Sequence, residues 1–411
     1  MNNRPLYIND FSFHCILGSD KVQVFDKLTK GIRGNFTTYD VAGVMRPAAT
    51  IDPASLPPVS EKKYDNRVNR LSQAALSGMD KTIRKAVDLF GANRVGIFIG
   101  SCDNGSEASV AALRCFKETG AFPEGYLLDY QRADFPLRFI ADRYGITGMT
   151  SVHSTACASS ASAFVSARNN LYAGNCDMAI VGGVDIASLS VILGFASLEA
   201  MSDRPTNPFS ANRSGLTLGD AAVFLVVSRE QCDELCTHDC RNLKVVGFGE
   251  SADADHITAP RADGEGAYQA MKAALENAGL SASEIGYVNL HGTGTELNDA
   301  MESRAVNRLF GEANHADVPV SSTKALTGHT LGAAGALELA FCCLALKSAG
   351  ENNECISRLP AHLFDGVVDA NLPPVHLVKP AETAKNLKYC MSNSFAFGGC
   401  NVSLIVENSL I

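Results

Sequence analysis

The sequence predicts an α/β protein with buried sheets. Two observations carry that prediction. Short apolar runs recur along most of the chain, and segments with apolar residues at helical spacing fall between them. The strand-like runs, in order, are RVGIFIGS (Arg94–Ser101), DMAIVGGVD (Asp177–Asp185), AAVFLVVS (Ala221–Ser228), LKVVGFGE (Leu243–Glu250), IGYVNLHG (Ile285–Gly292) and VSLIVEN (Val402–Asn408). The helical segments are Ser72–Phe90, Ser159–Ala173, Gly264–Ala278, Asp299–Phe310 and Gly332–Ala349.

Composition sets the frame for this pattern. The chain has 411 residues, 46% hydrophobic and 19% charged, which is ordinary globular composition. A chain of this length buries roughly three-quarters of its unfolded surface, so it needs no disulfide staples. Its 35 glycines and absence of tryptophan suit tight turns and close backbone approach. A formal net charge of −9 speaks against nonspecific nucleic-acid binding. The most apolar helical segment, Ala333–Leu346, is interrupted by Glu338 and is shorter than the ~20 residues a membrane span needs. The opening MNNRPLYIND lacks the basic-then-apolar order of a secretory signal.

The 13 cysteines are odd in number and scattered, many in apolar runs. That usage predicts reduced thiols and a cytoplasmic location. Cys232, Cys236, His238 and Cys240 form one local cluster. Their spacing of four is wrong for a compact zinc knuckle. The expectation is a thiol-rich helix lying on the body, with no metal.

The two halves of the chain echo each other. Each has a strand, a short Ser-Thr loop, then a helix of small residues: STACASSASAFVSA in the first, STKALTGHTLGAAGALELA in the second. A boundary near Arg241 divides the chain into residues 1–242, with the first of these segments, and 243–411, with the second.

Four segments set unusual polar residues among small ones. In STACASS, Cys157 stands at the start of a helix, where unpaired N–H groups and the helix dipole favour a thiolate. In NLHGTGTELNDAMES, His291 stands at a strand end, and the glycines after it let a loop approach a ligand closely. The acids Asp299 and Glu302 fit the start of the next helix. In STKALTGHTLGAAGALE, Lys324 and His329 share one loop. A lysine in so apolar a setting needs a partner, and Glu302 is the expected one. In NSFAFGGCNVSLI, an aromatic and two glycines precede the last strand, forming a turn whose N–H groups can point inward. Each segment has an ordinary structural explanation. Their joint appearance at strand ends, where active sites of open α/β sheets lie, does not.

Taken together, these segments resemble the thiolase-fold β-ketoacyl synthases of the elongating bacterial type II class. VVGFGESADADHITAP, NPFSANRSGLTLGDAA and IVGGVD add to the resemblance, which runs through nearly the whole chain. It implies two similar halves stacked in five layers, α-β-α-β-α, and a dimer. It implies Cys157 as nucleophile, His291 and His329 as catalytic histidines, and Lys324 with Glu302 as a supporting pair. Phe397 is the implied gate, its backbone N–H forming an oxyanion hole with that of Cys157. The implied reaction is condensation of malonyl thioester with an acyl chain on cysteine, both delivered on the phosphopantetheine of an acyl carrier protein, with no further cofactor.

The chain departs from the family pattern in three places. Ala396 stands where the last motif has glycine, and the expectation is a stiffer gate. Cys400 stands where it has threonine. Arg132, Asp134 and Arg138 fall in a stretch, Gly120–Arg143, that shapes the acyl pocket in relatives. The Gly120–Arg143 stretch and the short Met201–Gly219 segment point to a specialised type II pathway, such as aryl polyene or other polyketide synthesis. Primary fatty-acid elongation is the alternative. A noncatalytic chain-length subunit would lack the thiol, which is intact here; such a subunit remains a candidate partner in a heterodimer. An acidic carrier calls for basic surface, and Lys62, Lys63, Arg67, Arg70, Arg204 and Arg213 are the expected contacts.

Overall fold

Alternation along the strands sorts the apolar side chains onto two faces. In the computed structural model, which describes residues 4–102, 105–348 and 355–411, Val95, Ile97 and Ile99 face one core while Phe98 faces another. Met178, Ile180 and Val184 join the first, and Ala179 and Val181 the second. Ala222, Phe224 and Val226 alternate likewise with Val223, Leu225 and Val227. A strand apolar on both faces must be covered on both.

Eleven of the strands form one sheet in two arms, and the rest form a two-stranded and a three-stranded sheet. The first arm runs Thr150–His153, Val95–Gly100, Met178–Asp185, Ala221–Ser228 and Leu6–Cys15. The second runs Leu243–Ala252, Cys400–Asn408, Tyr389–Phe395, Ile285–Asn289, Pro319–Ser321 and His376–Leu377. Only Leu6 and Tyr7, opposite Val245 and Lys244, join the arms. The helices Ser159–Tyr172 and Ala334–Lys347 lie between the arms, within one core. Arg67–Leu76, Asp80–Phe90 and Phe135–Tyr144 cover the outer face of the first arm. Glu265–Ala278 and Glu296–Glu312 cover the second. The result is the five-layered α-β-α-β-α arrangement.

The middle helices explain the small-residue segments. Every residue from Ala334 to Leu346 is buried, so this helix has no polar face. Small residues let it sit close: a Cβ on Gly335 would lie 2.9 Å from Ala161 Cβ and 2.8 Å from Ser394 Oγ. Gly100 is tighter still, with its hypothetical Cβ 2.2 Å from the backbone nitrogen of Ser160.

All six expected strands form, as do the five expected helical segments, with shifted ends. The segment Ser72–Phe90 begins earlier, at Arg67, where Asn66 caps it by accepting from Asn69 N–H, and a 3₁₀ turn at Ser77–Met79 divides it. Ala349, the expected end of the last helix, lies outside the described residues. Cys232–Cys240 does not form the expected helix. It is a run of turns, ending in a 3₁₀ turn at His238–Cys240 and tied to the strand Leu6–Cys15 by Thr237 N–H to Asn9 O. The strand Leu6–Cys15 escaped the apolar-run criterion because Asn9, Asp10, Ser12 and His14 interrupt it. Among the described residues, no helix is long and apolar enough to cross a membrane.

Replacing Gly100 with alanine will force the strand from the helix behind it, because the obstructing atom is backbone. The expected loss is about 2–3 kcal/mol, read as a lower denaturant midpoint with an unchanged slope.

Candidate active site

The parallel strands end on one side of the sheet, and four loops leaving those ends build a cavity of about 510 Å³. Cys157 follows Thr150–His153, His291 follows Ile285–Asn289, His329 follows Pro319–Ser321, and Phe397 follows Tyr389–Phe395. All four line the cavity.

Cys157 sits in a 3₁₀ turn, Ala156–Ala158, ahead of the helix Ser159–Tyr172. Ala156 before it holds a left-handed φ of 48°, an unfavourable conformation for alanine. The sulfur lies 3.0 Å from His329 Nε2. Burial pushes the thiol up to about 11, against the pull of the Lys324 ammonium and the backbone N–H groups of Phe397 and Cys157. The helix terminus therefore does not produce the expected resting thiolate: desolvation outweighs it.

His329 is held in one tautomer. Leu331 N–H donates to its Nδ1 at 3.2 Å, so the proton of the neutral ring is on Nε2, aimed at the sulfur. Leu331 reaches that position with a left-handed φ of 54°. His291 stands beside it, the rings nearly perpendicular with centroids 5.3 Å apart. One donor atom from each of Cys157, His291 and His329 lies within 4.8 Å of the others. Burial, then Lys324, lowers both imidazoles well below the ordinary range, so both are neutral at pH 7. With Nε2 protonated, His329 presents a hydrogen-bond donor to the sulfur, not a lone pair.

The structure corrects the expected Lys324–Glu302 pair. Lys324 Nζ bonds Glu338, and both side chains are almost wholly buried. Glu302 instead accepts the backbone N–H groups of His291 and Gly292, each at 2.7 Å, and so fixes the histidine loop from beneath. Burial raises its carboxyl to about 8 despite those bonds. Glu338 was legible in the sequence as the lone carboxylate in an apolar helix, which required a buried partner.

Phe397 stacks on Phe195 at 5.9 Å, a contact between distant segments that no sequence signal marked. Its turn is braced where Gly398 N–H donates to Ile257 O and Asn401 Nδ2 donates to Asp253. Cys400 lies near the hydroxyls of Ser162 and Thr155, which its side chain can engage.

Most of the expected carrier contacts are not free. Arg67 is buried against Asp220 and Glu107, and Arg213 is buried against Asp369. Arg70 makes two bonds to Asp65, and Lys63 pairs with Asp142 and Glu61. These four cations neutralise acids of their own chain. Lys62 and Arg204 remain exposed. Arg132, Asp134 and Arg138 pair with one another at the surface and do not line the cavity.

This geometry coincides with clear family matches. Residues 38–232 match the family described as Beta-ketoacyl synthase, N-terminal domain, and residues 243–350 match Beta-ketoacyl synthase, C-terminal domain. The chain belongs to the β-ketoacyl synthases, acyltransferases of the thiolase-like superfamily. Within them it falls in the type II group. It is 33% identical over 330 residues to 3-oxoacyl-[acyl-carrier-protein] synthase 2 of Rhizobium meliloti (strain 1021), covering 76% of this chain and 73% of that one. The corresponding protein of Staphylococcus aureus (strain COL) is 29% identical over 98% of each chain. Among solved structures, the ketosynthase ApeO of Xenorhabdus doucetiae, in complex with its chain length factor ApeC, aligns with a TM-score of 0.87 and 35% identity, over 99% of this chain and 98% of that one.

Two measurements test the electrostatics. Alkylation of Cys157 by iodoacetamide will keep accelerating with pH beyond 9, toward about 11, where an ordinary cysteine levels off near 9. Lys324→Met will raise that midpoint further, because it removes the charge that favours thiolate. It will also cost about 3–5 kcal/mol of stability by leaving Glu338 buried alone.

Proposed function

We propose that the protein is a 3-oxoacyl-[acyl-carrier-protein] synthase that condenses malonyl-carrier with an acyl chain held on Cys157. The observation that carries this reading is the convergence of one sulfur and two neutral imidazoles in a single cavity.

The steps follow from the geometry. An acyl thioester exchanges onto Cys157: the C–S bond to pantetheine breaks, the bond to Cys157 forms, and the thiol proton leaves with the departing sulfur. One thioester replaces another, so the exchange is nearly isoenergetic, and a high resting thiol pKa is tolerable because no net proton is released. The backbone N–H groups of Cys157 and Phe397 receive the oxyanion. Phe397 then moves off Phe195 and malonyl-carrier enters, giving ping-pong order. Loss of CO₂ leaves an enolate whose oxygen accepts from the N–H groups of His291 and His329. Neutral donors suit this step because they stabilise the anion without protonating its carbon. The enolate attacks the acyl carbonyl, a C–C bond forms, and the cysteine sulfur leaves and takes a proton. Lys324, held by Glu338, acts on this charge through space, and Glu302 positions His291.

The chain's similarity to a ketosynthase solved with a chain length factor supports a specialised type II pathway, such as aryl polyene or other polyketide synthesis, and a heterodimer with a chain-length-factor-like subunit. The edge strand Thr150–His153 and the exposed Leu113, Phe116 and Leu128 offer a face for a second subunit, in a homodimer or that heterodimer. Similarity to the synthase 2 proteins favours fatty-acid elongation as the second reading. Residues 1–242 and 243–411 serve as two similar halves, the first supplying the nucleophile and the second the histidines, lysine and gate. The reaction needs no cofactor beyond the carrier's phosphopantetheine. Thirteen free cysteines suit the reducing cytoplasm.

The test is loading with saturated, polyenoic and aryl acyl-carriers, read by mass spectrometry of the intact protein. Label is expected on Cys157, with none on Cys157→Ala; label elsewhere, or condensation by that variant, refutes the assignment. His329→Ala is expected to slow malonyl decarboxylation by about 10²–10³.

A further inference from the structure

The segment between Ala200 and Arg213, two residues that line the catalytic cavity, also borders a second concavity through Arg204, Pro205 and Asn207. This concavity is a cleft of about 300 Å³ lined by Arg33, Arg204, Pro205, Asn207, Leu363, Phe364 and Asp365. Arg33 and Arg204 come from opposite ends of the first half of the chain. Among the described residues, Arg33 has no carboxylate within salt-bridge distance. Its Nε donates to Ala325 O at 2.7 Å, and Phe36 lies under its guanidinium. Burial without a compensating anion lowers its pKa. Arg204 is exposed and has only a loose contact with Asp203 at 3.4 Å. Asp365 is the one acid in the wall. Its carboxylate is turned into the adjacent loop, where Ser210 and Asn212 donate to it at 2.8 Å each.

Two guanidinium groups line one concavity, Arg33 without a carboxylate partner and Arg204 with only a loose one, and guanidinium recognises oxyanions. We propose that this cleft binds a small phosphate monoester. Guanidinium forks match phosphate oxygens, and Asp365 is already committed to Ser210 and Asn212. The volume left over a phosphate group is walled by Phe364, Leu363 and Pro205, which suits a compact apolar or aryl substituent. The concave shape and the anchoring of Arg33 favour a small ligand over the convex acidic face of a carrier protein.

The cleft is tied to the catalytic machinery at both sides. Ala325 belongs to the short helix Lys324–Thr327, and Gly34 N–H also donates to it, at Leu326 O. On the other side, Arg204 N–H donates to Ser202 Oγ, which bonds Ser214 Oγ at 2.7 Å, and Ser214 lines the catalytic cavity. A phosphate bridging Arg33 and Arg204 therefore clamps this segment to the helix that carries Lys324.

The test is calorimetric titration of the full chain with phenyl phosphate and with inorganic phosphate, for the wild type, R33Q, R204Q and the double variant. The expected result is one site, tighter for phenyl phosphate, weakened at least tenfold in each single variant and abolished in the double. R204Q alters an exposed side chain and keeps the test valid if R33Q fails to fold. Equal binding by the wild type and R204Q overturns the proposal. So does a wild type that binds neither probe, including the case where R204Q raises KM for malonyl-carrier, which would make the cleft a carrier footing instead.

Discussion

The ammonium of Lys324 is the charge on which the site depends. It is fully buried, bonded to Glu338 on the middle helix, and close enough to act on every reacting group. It opposes the rise of the Cys157 thiol, helps hold His291 and His329 neutral, and opposes the rise of the Glu302 carboxyl. Burial is the larger influence in each case, and burial alone would leave a neutral thiol with nothing to favour its anion. One fixed cation in low dielectric, with the backbone N–H groups of Phe397 and Cys157, offsets part of that rise, and the resting thiol stays neutral.

Holding such a charge inside the protein requires the middle layer. The helices Ser159–Tyr172 and Ala334–Lys347 lie between two sheet arms whose ladders meet, among the described residues, at two paired positions. Small residues bring these helices close, and that closeness sets the first turn of one against the first turn of the other. Cys157 and His329 stand just before those two helices, so the packing of alanines and glycines sets the 3.0 Å sulfur–nitrogen distance. Two left-handed residues complete the geometry. Ala156 turns the sulfur into the cavity, and Leu331 turns its N–H onto His329. Strain of this kind persists only where the surroundings over-determine it, and here both residues sit between rigid strands and buried helices.

The surface follows a different logic. Several cations that looked available along the chain are absorbed by acids of the same chain: Arg67 by Asp220, Arg213 by Asp369, Arg70 by Asp65. The Arg213–Asp369 pair holds a residue that lines the cavity. Arg33, with no carboxylate partner among the described residues, and Arg204, only loosely paired with Asp203, instead line one cleft, although they are 171 positions apart in the chain.

Read along the chain alone, the α/β layering, the polar Cys157, His291, His329 and Lys324 near strand ends, the aromatic-glycine turn at Phe397 and the small-residue helices were already legible. These are local properties: strand periodicity, helical spacing, and a polar residue in an apolar run each leave a mark within a few positions. Only the tertiary structure decided the partners. Lys324 chose Glu338 over Glu302, Arg67 was spent on Asp220, and the Cys232–Cys240 spacing that reads as one helix face became turns pinned to Asn9. The resting state of the thiol also belongs to this second group, because desolvation depends on everything that surrounds the sulfur. Pairing and burial are long-range quantities, set by which distant segments the fold brings together, and no pattern along the chain encodes them alone.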